Sequence, residues 1–215
     1  MGKGFLVNVI SLAFNGEWWR QDNENRKLRI SKLGESIREL QKKEGVKVLR
    51  TYSSLRWDSD LIFWIMSEIS EHLLTLKRKI MESLGEFSTF THGFLSLYEP
   101  SPYFRGGIRE PVHEPKKYFV AYPMKKDPEW YLIDEGERRK IVEEHIRIAV
   151  SHPENKDIIS YTTYSFGIDD WEFLVIYELD SLSNWVHVTE KLREAKARKW
   201  IVREDPILVG ELLNL

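Results

Sequence analysis

The feature that most constrains this chain is an order of segments that occurs twice. In the first half, Phe5 to Phe14 is a β-rich run, and Asn25 to Lys43 carries Leu28, Ile30, Leu33, Ile37 and Leu40 at helical spacing. Gly45 stops that helix. Val46 to Leu55 then alternates as a half-buried strand does, and Leu61 to Met66 is a second β-type run after a charged turn at Asp58 to Asp60. Ile69 to Leu84 is helical up to Gly85, and Phe94 to Tyr98 is a further strand. The order is β-α-β-β-α-β.

The second half repeats it. Tyr118 to Met124 reads as a strand, Asp134 to Val150 as a helix, and Ile158 to Tyr164 with Glu172 to Leu179 as strands paired across FGIDD. Leu182 to Ala197 reads as a helix, and Trp200 to Val209 closes the pattern in extended form around Pro206. The halves share no obvious sequence identity, so the duplication rests on element order alone. Two such units predict an α+β chain of two ferredoxin-like modules, of the dimeric α+β barrel type. The expected division is 1–108 and 109–215, joined by the Pro- and Gly-rich stretch from Glu99 to Pro115. Each module covers one sheet face with helices and leaves the other bare. Packing the two bare faces together would bury both and leave room for a cavity between sheet and helices.

Composition narrows the chemistry. The 215 residues carry 32 basic and 34 acidic side chains, a net charge of −2, which argues against a nucleic-acid partner held by bulk charge. Cysteine is absent, which excludes disulfides, thiolate ligands, iron–sulfur clusters and cysteine nucleophiles. The apolar run near the N-terminus is only about ten residues long, too short to span a bilayer. No membrane span is expected, and the cytoplasm is the expected location.

One helical stripe holds an unusual member. Ile141, Val142, His145, Ile148 and Ala149 fall on one face, with Glu143, Glu144 and Arg147 off it. An imidazole among apolar side chains is either a core histidine bonded to a backbone carbonyl or a metal ligand. Zinc is disfavoured, because the other histidines show no ligand spacing. A lone inward histidine suits a haem better, since a porphyrin supplies four nitrogens of its own. Tyr122 lies in the strand YFVAYPM on the face of Tyr118 and Val120, either as a rim aromatic or as a functional phenol. Trp130 and Tyr131 precede the helix as packing residues or as a cavity wall. Neither a nucleophile elbow nor a phosphate-binding glycine loop is present. Asp169 and Asp170 fit a turn better than an acid/base pair.

Taken together, several motifs resemble the chlorite dismutase family, and especially its coproheme decarboxylase branch. They are YPM at Tyr122 to Met124 with Lys126 after it, Trp130-Tyr131 ahead of a helical His145, GIDDWEF at Gly167 to Phe173, LREAKARKW at Leu192 to Trp200, and LRWDSDLIFW at Leu55 to Trp64. The resemblance implies two ferredoxin-like modules, commonly in a homopentamer, with a haem or iron-coproporphyrin III in the C-terminal one. It implies His145 as the iron ligand, Tyr122 as the residue oxidised beside a propionate, and Lys126 with Arg193 as propionate partners. Met124, Trp130, Tyr131 and Ser160 are expected on the walls; Glu194 could support His145 from behind, but a helix-surface glutamate is the reading preferred for it. The implied reaction converts iron-coproporphyrin III to haem b with hydrogen peroxide as oxidant. The alternative is a haem-binding protein of this fold with weak peroxidase activity or a carrier role. Chlorite dismutases carry a distal arginine seven residues before the glycine of this turn; here that position is Ser160, which argues against chlorite chemistry.

Overall fold

Hydrogen bonding between strand edges joins the two halves. The structure, a computed structural model described for residues 4–101, 111 and 114–215, contains two antiparallel sheets of identical internal order. The first consists of β1 (Phe5–Phe14), β2 (Val46–Ser54), β3 (Leu61–Ser67) and β4 (Ser88–Tyr98), arranged β4-β1-β3-β2. The second consists of β5 (Tyr118–Lys126), β6 (Ile159–Tyr164), β7 (Phe173–Leu179) and the late strands β8 (Ile201–Arg203) and β9 (Leu208–Leu213). Its order is β9-β5-β7-β6, with β8 beside the end of β5. The sheets meet at two seams: β2 pairs with β9 from Thr51↔Leu213 to Ser54↔Gly210, and β4 pairs with β6 at Leu97↔Tyr164. The result is a closed antiparallel barrel. A Cβ built on Gly210 would lie 2.7 Å from the Cβ of Tyr52, so glycine is what lets the strands approach at the first seam.

The helices follow the expected places with small shifts. A short α1 (Gly16–Arg20) precedes α2 (Asn23–Gln41), which starts where Asp22 Oδ1 accepts from Asn25 N at 2.8 Å. Gly45, at φ +90°, lets the chain leave that helix for β2. After α3 (Ser70–Leu84), β4 begins six residues earlier than expected, because pairing with β1 extends it across a bulge at Ser11/Leu12. In the second module α4 (Glu129–Leu132) leads into α5 (Glu135–Ser151), capped by Asp134 Oδ1 accepting from Gly136 N at 2.9 Å. The last helix, α6 (Leu182–Leu192), ends five residues before the expected Ala197. Its backbone tightens into three-residue bonds, Arg193 N to Glu190 O at 3.0 Å and Ala195 N to Leu192 O at 3.2 Å, and Lys196–Trp200 continues as a 3-10 turn. The expected division at 108/109 lies outside the described residues. Among the described residues no helix is long and apolar enough to cross a membrane.

The bare faces of the two sheets do meet, inside the barrel. Phe5, Val7, Tyr52 and Trp64 from one module pack with Phe119, Tyr161, Leu174 and Ile176 from the other. Outside the barrel the modules differ. In the first, Leu33, Ile37 and Leu40 of α2 and Leu76, Ile80 and Leu84 of α3 fill the space over Phe63 and Ile65. In the second, the corresponding cluster among the described residues is Trp130, Ile141 and Ala197. One layer is packed and the other is hollow.

This asymmetry gives a paired test on ligand-free protein. Ile80→Ala should cost about 2–5 kcal/mol in denaturant unfolding, the usual range for truncation in a filled core. Ile146→Ala, on the hollow layer, should cost roughly 1 kcal/mol or less, since no new cavity is created. Equal losses would mean that the second layer is packed like the first.

Candidate functional site

The hollow layer encloses a cavity of about 720 Å³ between the second sheet and its helices. That volume lies within the usual range for small-molecule sites, roughly 300–1,000 Å³. Register dictates its sheet wall. Tyr122 stands opposite Val175 and Val175 opposite Thr162, while Tyr177 stands opposite Ser160, so alternate residues of β5, β7 and β6 share one face. The helix wall carries Val142, His145 and Ile146 of α5 with Trp185, Thr189 and Leu192 of α6. One end is polar and contains Lys126, Arg193, Arg198 and Glu204, with Trp130 beside them.

His145 lines this cavity, and its Nδ1 is buried without a hydrogen-bond partner. The backbone carbonyl of a satisfied core histidine is therefore missing at that atom. Burial first, then the positive charges of Lys126 and Arg198, push its pKa below the ordinary imidazole value, against the opposing pull of Glu204 and Glu144. The ring is thus neutral near pH 7, the form that ligates metals. Among the described residues no three His, Asp or Glu are grouped to hold a metal ion, so a metal at His145 would need its other ligands from outside the chain.

Tyr122 is paired with a residue that the sequence reading did not single out. Its ring lies 6.0 Å from that of Tyr177, stacked at an interplanar angle of 25°, so the two phenols share one corner of the cavity. They are diagonal neighbours across the β5–β7 pair, where aromatic side chains reach each other. Burial, then Tyr177, raises the pKa of Tyr122 well above the ordinary phenol value, so its O–H is retained. Tyr177 in turn packs on Trp185, with ring centroids 4.2 Å apart.

Lys126 is only 6% exposed. Its Nζ lies 4.3 Å from the centroid of Trp130, whose ring sits 5.5 Å from that of Trp200. Desolvation, with help from Arg198, lowers its pKa to about 8 despite the counteracting carboxylates of Glu204 and Glu172. Arg193 also lines the cavity, half-exposed, with its Nη1 3.0 Å from Glu204 Oε2. Arg198 Nη1 reaches the same oxygen at 2.6 Å. Met124 and Ser160 lie on the sheet wall, Ser160 on its open side.

One expected residue, Tyr131, is elsewhere, and Glu194 takes the surface place preferred for it. Tyr131 is 38% exposed, donates its hydroxyl to Glu172 Oε2 at 2.8 Å and packs edge-on against Phe166. The short helix α4 turns successive side chains by about 100°, so placing Trp130 inward sends Tyr131 outward. Glu194 pairs with Lys191 at 2.6 Å on the surface and does not bond His145. The two aspartates act as turn residues: Asp169 Oδ2 accepts from Leu95 N at 2.7 Å and Oδ1 from Asp170 N at 2.7 Å. Sequence reading missed Tyr177, Arg198 and Glu204. Only Tyr177 left a signal, in the alternation of FLVIYEL, which puts it on the face of Phe173 and Val175.

Chemically, the cavity presents a neutral imidazole, a phenol that keeps its proton, and cations gathered at one end. An apolar ring system carrying carboxylates and a metal would find a partner for each part. The comparisons with known proteins follow the same line. The family model for chlorite dismutase matches residues 26–213. The chain is 27% identical over 181 residues to coproheme decarboxylase of Mycolicibacterium smegmatis, covering 81% of this chain and 77% of that protein. It is 39% identical to a provisionally assigned chlorite dismutase of known crystal structure, with a TM-score of 0.90 over 99% of this chain and 96% of that one. A double mutant of chlorite dismutase from Candidatus Nitrospira defluvii is 20% identical and shares the fold, with a TM-score of 0.86 over 99% of this chain and 93% of that one.

Lys126 makes the electrostatics testable through stability. A folded pKa of about 8, against 10.5 ordinarily, means that the unfolded chain binds more protons between those values. The penalty for the buried charge is therefore full below pH 8 and fades as pH rises towards 10.5 and above. Lys126→Met should be more stable than the native chain at pH 7, by up to about 3 kcal/mol. The gap should close above pH 10.5 in urea unfolding. A gap that does not change with pH would mean that Lys126 is not desolvated.

Proposed function

This chain belongs to the chlorite dismutase family, and from that premise we propose that its cavity binds iron-coproporphyrin III and converts it to haem b, with hydrogen peroxide as oxidant. The observation that carries this reading is the meeting, in one cavity, of His145 with its Nδ1 unpartnered, the half-buried phenol of Tyr122 and the buried ammonium of Lys126. The named activity of the Mycolicibacterium smegmatis relative supports it.

Iron held by a bound porphyrin would supply the redox chemistry of peroxide. For each propionate converted to a vinyl group, one carbon dioxide leaves, and one peroxide with one proton becomes two waters. The side chains do the rest. His145, neutral and free at Nδ1, offers the nitrogen ligand. Lys126 and the guanidiniums of Arg193 and Arg198 hold propionate carboxylates by charge-assisted hydrogen bonds. Tyr122 offers an O–H from which a hydrogen atom can be given up and regained beside a propionate carbon. Stacking on Tyr177 holds the ring of Tyr122 in place. The apolar walls, Val142, Ile146, Phe173 and Val175, exclude water from the faces of the ring.

A second reading, a haem-binding protein with weak peroxidase activity or a carrier role, is favoured by one observation. Strands β6 and β7 contribute Ser160, Thr162, Tyr164 and Phe173 to the cavity but no arginine. Ser160 leaves room for peroxide but offers no guanidinium to hold a chlorine oxyanion, and chlorite dismutation is not proposed.

Mass analysis of the porphyrin after peroxide titration of the ferric coproporphyrin III complex separates the readings. Stepwise loss of two carboxyl groups is expected; bound but unchanged porphyrin would favour the second reading. Tyr122→Phe should bind the porphyrin normally and lose essentially all decarboxylation, whereas undiminished turnover would remove its role. His145→Ala should abolish the Soret shift of iron-porphyrin binding, and an intact spectrum would refute the ligand assignment.

A further inference from the structure

The polar end of the cavity contains a carboxylate that the proposed reaction does not use. Glu204 lies between β8 and β9, in a stretch with no helical or strand periodicity, and its side chain is only 17% exposed. One oxygen, Oε2, accepts from both Arg193 Nη1 at 3.0 Å and Arg198 Nη1 at 2.6 Å. All three side chains line the cavity. Lys126, on the same lining, forms no ion pair among the described residues and is left to meet a ligand. The other lining carboxylate, Glu99, is exposed and follows β4.

We propose that Glu204 is the residue that sets how many carboxylates a ligand can bring into this cavity, by occupying the Arg193–Arg198 pair and repelling a further carboxylate at that wall. The inference rests on the porphyrin-binding reading and deepens it. Each guanidinium offers five N–H donors, and Glu204 takes one from each, so the arginines are held in place rather than exhausted. A propionate reaching this wall therefore gains hydrogen bonds from the arginines and meets the negative charge beside them. That charge falls more heavily on a ligand with four carboxylates than on one with two, because the latter can keep both of its groups near Lys126. Glu204 thus acts against the substrate-like ligand and in favour of release once two propionates have been lost. Opposing the ligand with the larger charge is a general way of building specificity.

The experiment compares two metal-free porphyrins, coproporphyrin III with four carboxylates and deuteroporphyrin IX with two, so that iron coordination by His145 is removed from the comparison. Binding is read by quenching of tryptophan fluorescence. Glu204→Gln preserves shape and an acceptor oxygen for the arginines while deleting the charge. It should tighten coproporphyrin more than deuteroporphyrin, shifting the ratio of their dissociation constants by about fivefold or more, the scale of one charge–charge interaction across a partly screened site. Arg198→Gln should move the ratio the other way by a similar factor, which keeps the test decisive should either variant fold poorly. A ratio unchanged in both variants, or equal tightening of both ligands, would overturn the role of Glu204 and leave the porphyrin site standing. Failure of the native chain to bind either porphyrin would instead remove the reading on which the inference rests.

Discussion

Strand edges that must be paired shape this molecule more than any side chain does. Each four-stranded unit has two edges whose N–H and C=O groups invite further pairing. Here β2 takes up β9, and β4 takes up β6, so each module satisfies the other. Closure creates an interior in which Trp64, Tyr161, Phe119 and Tyr52 pack against one another, and that interior supports both sheets at once. With the second sheet held from inside, its outer layer need not be filled. The first module shows what a filled layer looks like at the same position, with α2 and α3 seated over Phe63 and Ile65. The second module keeps the architecture and omits the filling, and the cavity is the consequence.

That cavity concentrates charge where solvation is poor. Lys126 is displaced from its ordinary pKa chiefly by desolvation, and the same burial keeps His145 neutral and the phenols of Tyr122 and Tyr177 protonated. Each of these groups is therefore in the form that its proposed task requires near neutral pH, with no partner having to move. Glu204 restrains the rest. Without it, Arg193 and Arg198 would stand on one lining with Lys126 as like charges in a partly enclosed space, an unfavourable arrangement. The acid stabilises the positive end of the cavity and also competes with any anion that enters it.

How far the sequence reveals this depends on periodicity. Strands and helices leave regular traces, so the duplicated order, the inward face of α5 with His145, and the shared face of Tyr122 and Val120 could all be read before any coordinates. Periodicity fails where the chain is irregular. Arg198 lies in a 3-10 turn and Glu204 in the segment before Pro206, and neither position carries a repeating pattern that would aim it at a site. It fails also in α4, too short for a stripe, where Trp130 and Tyr131 are adjacent in sequence yet lie on opposite sides. Nor does apolarity distinguish a filled layer from a hollow one. Val142 and Ile146 line a void where Ile141, on the same helix, packs into a core, and only the chain folded back on itself shows which residue does which.

The placement of the arginines bears on which chemistry the family fold supports here. Arg193 and Arg198 follow α6, at the polar end with Lys126, while the sheet wall offers hydroxyls and aromatic rings. A guanidinium at the end of a cavity recognises carboxylates at the rim of a flat ligand. A guanidinium on the sheet wall would instead hold a small anion against the ligand's face. Ser160 and Thr162 occupy that wall on its open side, where both are exposed. Small hydroxyl residues on an exposed wall admit a neutral peroxide without retaining an oxyanion. The distribution of positive charge thus favours recognition of the ligand's edge over capture of an anionic oxidant at its centre. The same division makes Glu204, at the edge, the group best placed to tell one porphyrin from another.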